Sequence, residues 1–205
     1  MRVSVMLAFV MAVAVGSLLS SQEEKRKPIT VKMGLEGQVT RSKTTVTARP
    51  GDTLPYLRLP STDGHSVELS EETKSSHLIL FFYPGDLEGI RYPELAGCTP
   101  EGCAFRDNVG KIRQLGGTVF GVNLHSTARQ RSFVERELLS FELLSDSEKK
   151  LTEALGIPIW RTKAGEEFVD RVTIIVAKGG KITHVFEDVQ VEGHIDEILE
   201  VLEKM

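Results

Sequence analysis

Six consecutive apolar residues, Leu78-Ile79-Leu80-Phe81-Phe82-Tyr83, stop at Pro84-Gly85-Asp86. A run of that length without alternation suits one strand covered on both faces, as central strands are in layered α/β domains. Such a strand needs helices above and below its sheet, and the flanking sequence supplies them. Thr99 or Pro100 opens a helix to about residue 115, ended by Gly116-Gly117. Residues 118–122 read as a second buried strand. Ser126 is placed to cap a helix reaching residue 138, and Ser147 another running to residue 155. Residues 171–176 and 181–186 are two strands around Gly179-Gly180, a hairpin signal. Residues 194–202 close the chain as an amphipathic helix with Ile195, Ile198, Leu199 and Leu202 on one face. The pattern predicts an α/β fold with a mixed sheet flanked by helices.

The N-terminus obeys a different grammar. Met1-Arg2 precedes an uncharged stretch over residues 3–22, most apolar over residues 5–15 and followed by Gly16 and Ser17. One positive charge, a short apolar run and then small residues match a secretory signal peptide. The alternative is an uncleaved anchor, since the uncharged stretch reaches about the ~20 residues that span a bilayer. Residues 1–22 are therefore assigned as signal peptide or anchor, 23–49 as an extension with a short strand over 44–48, and 50–205 as the folded domain opened by Pro50-Gly51-Asp52. A signal peptide places the protein in an exported compartment: periplasm, extracellular space or an organellar lumen. Membrane contact is expected only if the segment stays uncleaved. The formal net charge is −4, with no long basic run, which excludes an electrostatic case for nucleic acid.

Cysteine occurs twice, at Cys98 and Cys103, in Gly97-Cys98-Thr99-Pro100-Glu101-Gly102-Cys103. Cys98 falls at the start of the helix after the first central strand. Unpaired backbone N–H groups and the helix dipole there favour thiolate, the nucleophilic form. Residues i and i+5 of a helix lie on different faces with Cα atoms over ~8 Å apart, whereas a disulfide needs less than about 7 Å. The pair therefore closes only if the first turn unwinds, which suits a redox switch with reduced and oxidised conformations. Cysteine count and compartment alone suit the other reading, a fixed disulfide. Two thiols without a third ligand nearby do not complete a zinc site, and no metal or cofactor is expected.

With Phe81-Phe82-Tyr83-Pro84-Gly85-Asp86 come Gly97-Cys98-Thr99, Cys103-Ala104-Phe105-Arg106-Asp107-Asn108, Phe141-Glu142-Leu143-Leu144-Ser145-Asp146 and Asp170-Arg171-Val172-Thr173-Ile174-Ile175, in that order. These blocks resemble the Q-type peroxiredoxins, also called bacterioferritin comigratory proteins, from about residue 50 to the C-terminus. The resemblance implies a thioredoxin-like fold and thiol-dependent reduction of hydrogen peroxide or organic hydroperoxides. Cys98 matches the peroxidatic cysteine, which peroxide oxidises to a sulfenic acid, and Cys103 the resolving cysteine that condenses with it. Arg171 matches the arginine that stabilises the thiolate and orients peroxide. A thioredoxin-like dithiol is the implied reductant, and a monomer the implied state.

One block departs from the family. Peroxiredoxins share Pro-x-x-x-Thr-x-x-Cys, but the third residue before Cys98 is Leu95, and Pro84 lies fourteen residues before Cys98. Residues 87–96 read as an insertion that rebuilds the active-site loop. Losing a positioning hydroxyl slows a reaction that depends on orientation, which opens an alternative: a redox-responsive interaction protein with weakened turnover. The five histidines (His65, His77, His125, His184, His194) show no ligand spacing. His194 reads as a cap or a solvent-facing group, and Trp160 as a packing residue in a loop.

Overall fold

The computed structural model describes residues 39–41, 45–85 and 95–205. Expectations for residues 1–38, and for the inserted loop apart from Leu95 and Ala96, lie outside the described residues. The run of apolar residues becomes β4 (His77–Phe82), the middle strand of a five-stranded sheet. Its order is β10 (Ile182–Phe186), β9 (Val172–Val176), β4, β5 (Gly117–Asn123), β6 (Leu143–Ser145). β4 pairs in parallel with β5 and antiparallel with β9, so the sheet is mixed as expected.

Burial explains why β4 does not alternate. Leu78, Leu80 and Phe82 join a cluster with Val172, Ile174, Leu144 and Leu151 on one face. Ile79, Phe81 and Tyr83 join Phe105, Ile112, Phe133 and Ile198 on the other. Helices α2 (Cys98–Gln114), α3 (Thr127–Glu137) and α5 (Val191–Glu203) supply the second group, while α4 (Lys150–Leu155) faces the first. Phe105 stacks on Phe81 with ring centroids 4.3 Å apart, which fixes α2 to the central strand about two turns past its start.

Smaller elements complete the fold. β2 (Arg58–Pro60) and β3 (Ser66–Glu68) form a hairpin followed by the single turn α1 (Leu69–Glu72). β1 (Val39–Arg41), β7 (Ile159–Thr162) and β8 (Glu167–Val169) form a separate antiparallel sheet. Trp160 is therefore in a strand rather than a loop. It is fully buried and stacks on Phe168 at 4.4 Å, so its packing role stands. Residues 45–49 form no strand, because the N–H groups of Thr47 and Ala48 both donate to Leu155 O instead of a ladder. Val46 and Ala48 are nonetheless buried in the core, so the folded unit takes in chain before Pro50.

One helix start, that of α4, differs from expectation. Ser126 caps α3 as expected, accepting from the Arg129 N–H. Ser147 does not cap α4; it is exposed, and the helix begins at Lys150. Buried Asp146 takes that work, accepting from the N–H groups of Leu151 and Thr152 and from the Thr152 hydroxyl. At α5, Glu192 and Gly193 are non-helical, and regular helix begins at His194.

Removing the Asp146 carboxylate leaves buried donors unpaired. Asp146→Ala is expected to destabilise the fold by about 2 kcal/mol, whereas Ser147→Ala should stay within ~0.5 kcal/mol. Denaturant unfolding of the two variants checks this.

Candidate active site

The register of the central sheet assembles the site. Phe82 pairs with Val172 across the antiparallel β4–β9 ladder. Arg171, one residue before β9, is thereby brought beside the carboxyl end of β4. Helix α2 begins at that same end, with Cys98 as its first residue. A crevice outside the carboxyl ends of parallel strands is where α/β sheets collect functional groups.

Cys98 is 2% exposed, and Arg171 Nη2 donates to its Sγ at 3.5 Å. A Cβ on Gly97 would stand 3.0 Å from Arg171 Nη2 and 3.0 Å from Val191 Cγ2, so glycine leaves room for the guanidinium that a side chain would press upon. The thiol lies at the helix start, as the sequence predicts. Burial nevertheless pushes it above its ordinary value, against the Arg171 charge, the Arg171 hydrogen bond and the Gly85 N–H. The fold therefore holds this thiol dry, and the Arg171 guanidinium counters the cost.

Sequence reading missed the next partner, Glu101. It sits one turn after Cys98, is 2% exposed, and accepts a hydrogen bond from Arg171 Nη1. Its Oε1 is buried with no partner among the described residues. Burial drives this carboxyl from its ordinary 4.5 to about 7, with Arg171 pulling the other way. The signal was present as a carboxylate at i+3 from Cys98, but a charged residue in a helix is ordinarily solvated, so nothing in the sequence marked it as buried.

Cys103 lies in the same helix, partly buried, and does not touch Arg171. Its Sγ donates to Glu137 Oε2 at 3.8 Å. Both thiols are free. Leu95, the residue in the threonine position, is 6% exposed and packs in the apolar cluster that contains Cys98. A cavity of about 290 Å³ is lined by Arg171 together with Val46, Pro84, Pro158, Asp170 and Val172 among others.

The histidine reading needs one correction. His194 neither caps nor faces solvent: it is 3% exposed, with Nε2 2.9 Å from Thr173 Oγ1 and Nδ1 2.9 Å from Glu197 Oε2. The non-helical turn at Glu192 and Gly193 directs the first helical residue inward onto β9, two residues from Arg171. Burial lowers its pKa, partly opposed by Glu197. Among the described residues no group of three or more His, Cys, Asp or Glu is placed to hold a metal.

The family profile described as AhpC/TSA matches residues 50–185. The chain is 31% identical over 160 residues to peroxiredoxin Bcp of Escherichia coli K12, covering 76% of this chain and 96% of that one. It is 33% identical over 164 residues to peroxiredoxin Bcp of Bacillus subtilis 168, covering 78% and 98%. Among solved structures, a mutant of PrxQ from Xylella fastidiosa superposes with a TM-score of 0.68 at 27% identity, over 78% of this chain and 98% of that one. Peroxidoxin BcpB of Mycobacterium tuberculosis gives 0.66 at 26% identity, over 77% and 97%.

Two substitutions should move the Cys98 thiol in opposite directions, read by ultraviolet thiolate absorbance in Cys103→Ser protein. Arg171→Met removes the countercharge and should raise the midpoint; Glu101→Gln removes the opposing charge and should lower it. Glu101 also links stability to pH. Its folded pKa of about 7 exceeds its ordinary 4.5, so its contribution is complete below the lower value and lost as pH rises through the higher one. Denaturant unfolding from about pH 5 to 8 should show this decline, and Glu101→Gln should flatten it.

Proposed function

The chain belongs to the AhpC/TSA family, among its Bcp/PrxQ peroxiredoxins, which are peroxidase oxidoreductases, and from that premise we propose a cycle in which Cys98 attacks peroxide, Cys103 resolves it and a thioredoxin-type dithiol restores both thiols. The observation that carries this reading is Arg171 Nη2 at 3.5 Å from a buried helix-start thiol, with a second cysteine in the same helix. The Cys98 thiolate takes one peroxide oxygen, the O–O bond breaks, and water or an alcohol departs, leaving a sulfenic acid. Arg171 supplies charge to the attacking sulfur and N–H donors to the departing oxygen, a task suited to a permanently charged, multi-donor group. The cavity beside Arg171 gives peroxide a route to that group. Condensation with Cys103 yields a disulfide, and thiol–disulfide exchange with the reductant reopens it.

Leu95 favours a second reading. A buried leucine offers no hydroxyl to orient peroxide, which supports a redox-responsive protein with slow turnover. Export through a cleaved N-terminal segment is part of the same proposal, tested by N-terminal sequencing of the mature protein in cell fractions.

Stopped-flow consumption of hydrogen peroxide by reduced protein decides between the readings. The peroxidase reading requires a rate well above that of free cysteine, abolished in Cys98→Ser, with a trappable sulfenic acid in Cys103→Ser. A wild-type rate equal to free cysteine, with the sulfenic acid still trapped, would leave the slow sensor. Leu95→Thr should quicken the reaction by roughly tenfold if the missing hydroxyl limits it.

A further inference from the structure

The cycle requires Cys103 to leave its place in α2, and the surroundings of that thiol show what opposes departure. Cys103 faces the last turn of α3, where Glu137 Oε2 accepts from its Sγ at 3.8 Å. Glu137 is itself held: Oε1 accepts from Arg136 Nε at 2.8 Å, and its backbone O accepts from Arg106 Nη1 at 2.6 Å. Its side chain is 17% exposed, so the carboxylate is only partly hydrated. The groups facing Cys103 are Arg106 and Asp107 from α2 and Glu137 from α3. Burial, Glu137 and Asp107 raise the thiol pKa while Arg106 lowers it.

The segment that must open is bounded. Phe105 is 1% exposed and stacked on Phe81, so α2 is fixed to the core two residues beyond Cys103. Gly102, inside the segment, costs a helix about 1 kcal/mol relative to alanine and weakens this turn. A Cβ there would stand 3.1 Å from Phe133 Cζ of α3, so a side chain would press on that ring. The turn between the cysteines is therefore intrinsically weak and is held down from α3.

We propose that Glu137 is a positioning residue that latches Cys103 in the folded form of α2, so that release of this contact sets the rate at which the two sulfurs join. This rests on the proposed peroxidase cycle. Once peroxide has oxidised Cys98 to sulfenic acid, the Cys103 sulfur bonds to the Cys98 sulfur and the Cys98 S–O bond breaks. The thiol proton leaves with the hydroxide as water, and no further oxidant is needed. The latch slows this step after Cys98 is oxidised, and it holds Cys103 in α2 as a thiol until then. Weakening the tether and lowering the thiol pKa act in the same direction, toward faster closure.

The test is rapid-quench mass spectrometry of reduced full-length protein after hydrogen peroxide, comparing wild type with Glu137→Gln and Glu137→Asp. In Glu137→Gln the disulfide phase should quicken about fivefold relative to the sulfenic-acid phase, and the pH midpoint of the disulfide phase should fall. Glu137→Asp, which keeps a carboxylate, should hold the midpoint near wild type, a distinction that loosened packing alone would not produce. A disulfide phase that is unchanged or slower in Glu137→Gln overturns the latch, the slower result marking Glu137 as a proton acceptor instead. A parallel arm closes the disulfide with diamide, which needs no peroxide chemistry. Absence of sulfenic acid in every protein would sink the peroxidase reading, and the diamide arm would still confirm or refute the latch by the same acceleration.

Discussion

Burial of β4 on both faces is the constraint from which the rest of this architecture follows. A strand without a solvated side forces helices onto each face of the sheet. The strand must then end where Pro84 and Gly85 interrupt it, and the chain returns as α2 with its N-terminus at the carboxyl edge of the sheet. The Phe81–Phe105 stack locks that return. Antiparallel pairing of β9 to β4 brings Arg171 to the same edge from a point more than seventy residues away in sequence. Cys98 and Arg171 therefore meet because one strand is dry on both sides.

The electrostatics of the site are a compromise rather than a simple activation. Burial raises the Cys98 thiol, and a single guanidinium works against it. The same guanidinium is shared with Glu101, whose buried carboxyl is pushed up to about 7. Arg171 thus divides its charge between two acids that both resist ionisation in a dry setting. His194, hydrogen-bonded to Thr173 and Glu197, fastens α5 to β9 behind that arginine. The cation is consequently held by the sheet on one side and by a charged partner on the other.

The second thiol lives under a different regime. Cys98 is governed by depth and countercharge, whereas Cys103 is partly exposed and governed by the end of a neighbouring helix. The two cysteines are five residues apart and yet belong to separate electrostatic surroundings, as helical geometry requires when it points them to different faces. Chemistry between them has to be conformational before it is covalent.

Much of this was legible in residue order. Uninterrupted apolar runs marked β4 and β5, Gly116-Gly117 ended α2, Gly179-Gly180 turned the β9–β10 hairpin, and Ser126 capped α3. These signals are local, because each depends on neighbours in the chain and on backbone stereochemistry. The blocks around Cys98, Cys103 and Arg171 were also readable, through their likeness to a family. Glu101, Asp146 and His194 were not. A glutamate in a helix, an aspartate before a helix and a histidine at a helix start are usually solvated, and only the burial of Glu101 against Arg171, of Asp146 against the start of α4 and of His194 against Thr173 removed their water. The sequence by itself determined which segments are strands and helices and which side chains can ionise. Tertiary structure decided which of those charges are dry, because desolvation is a property of what several distant segments exclude together.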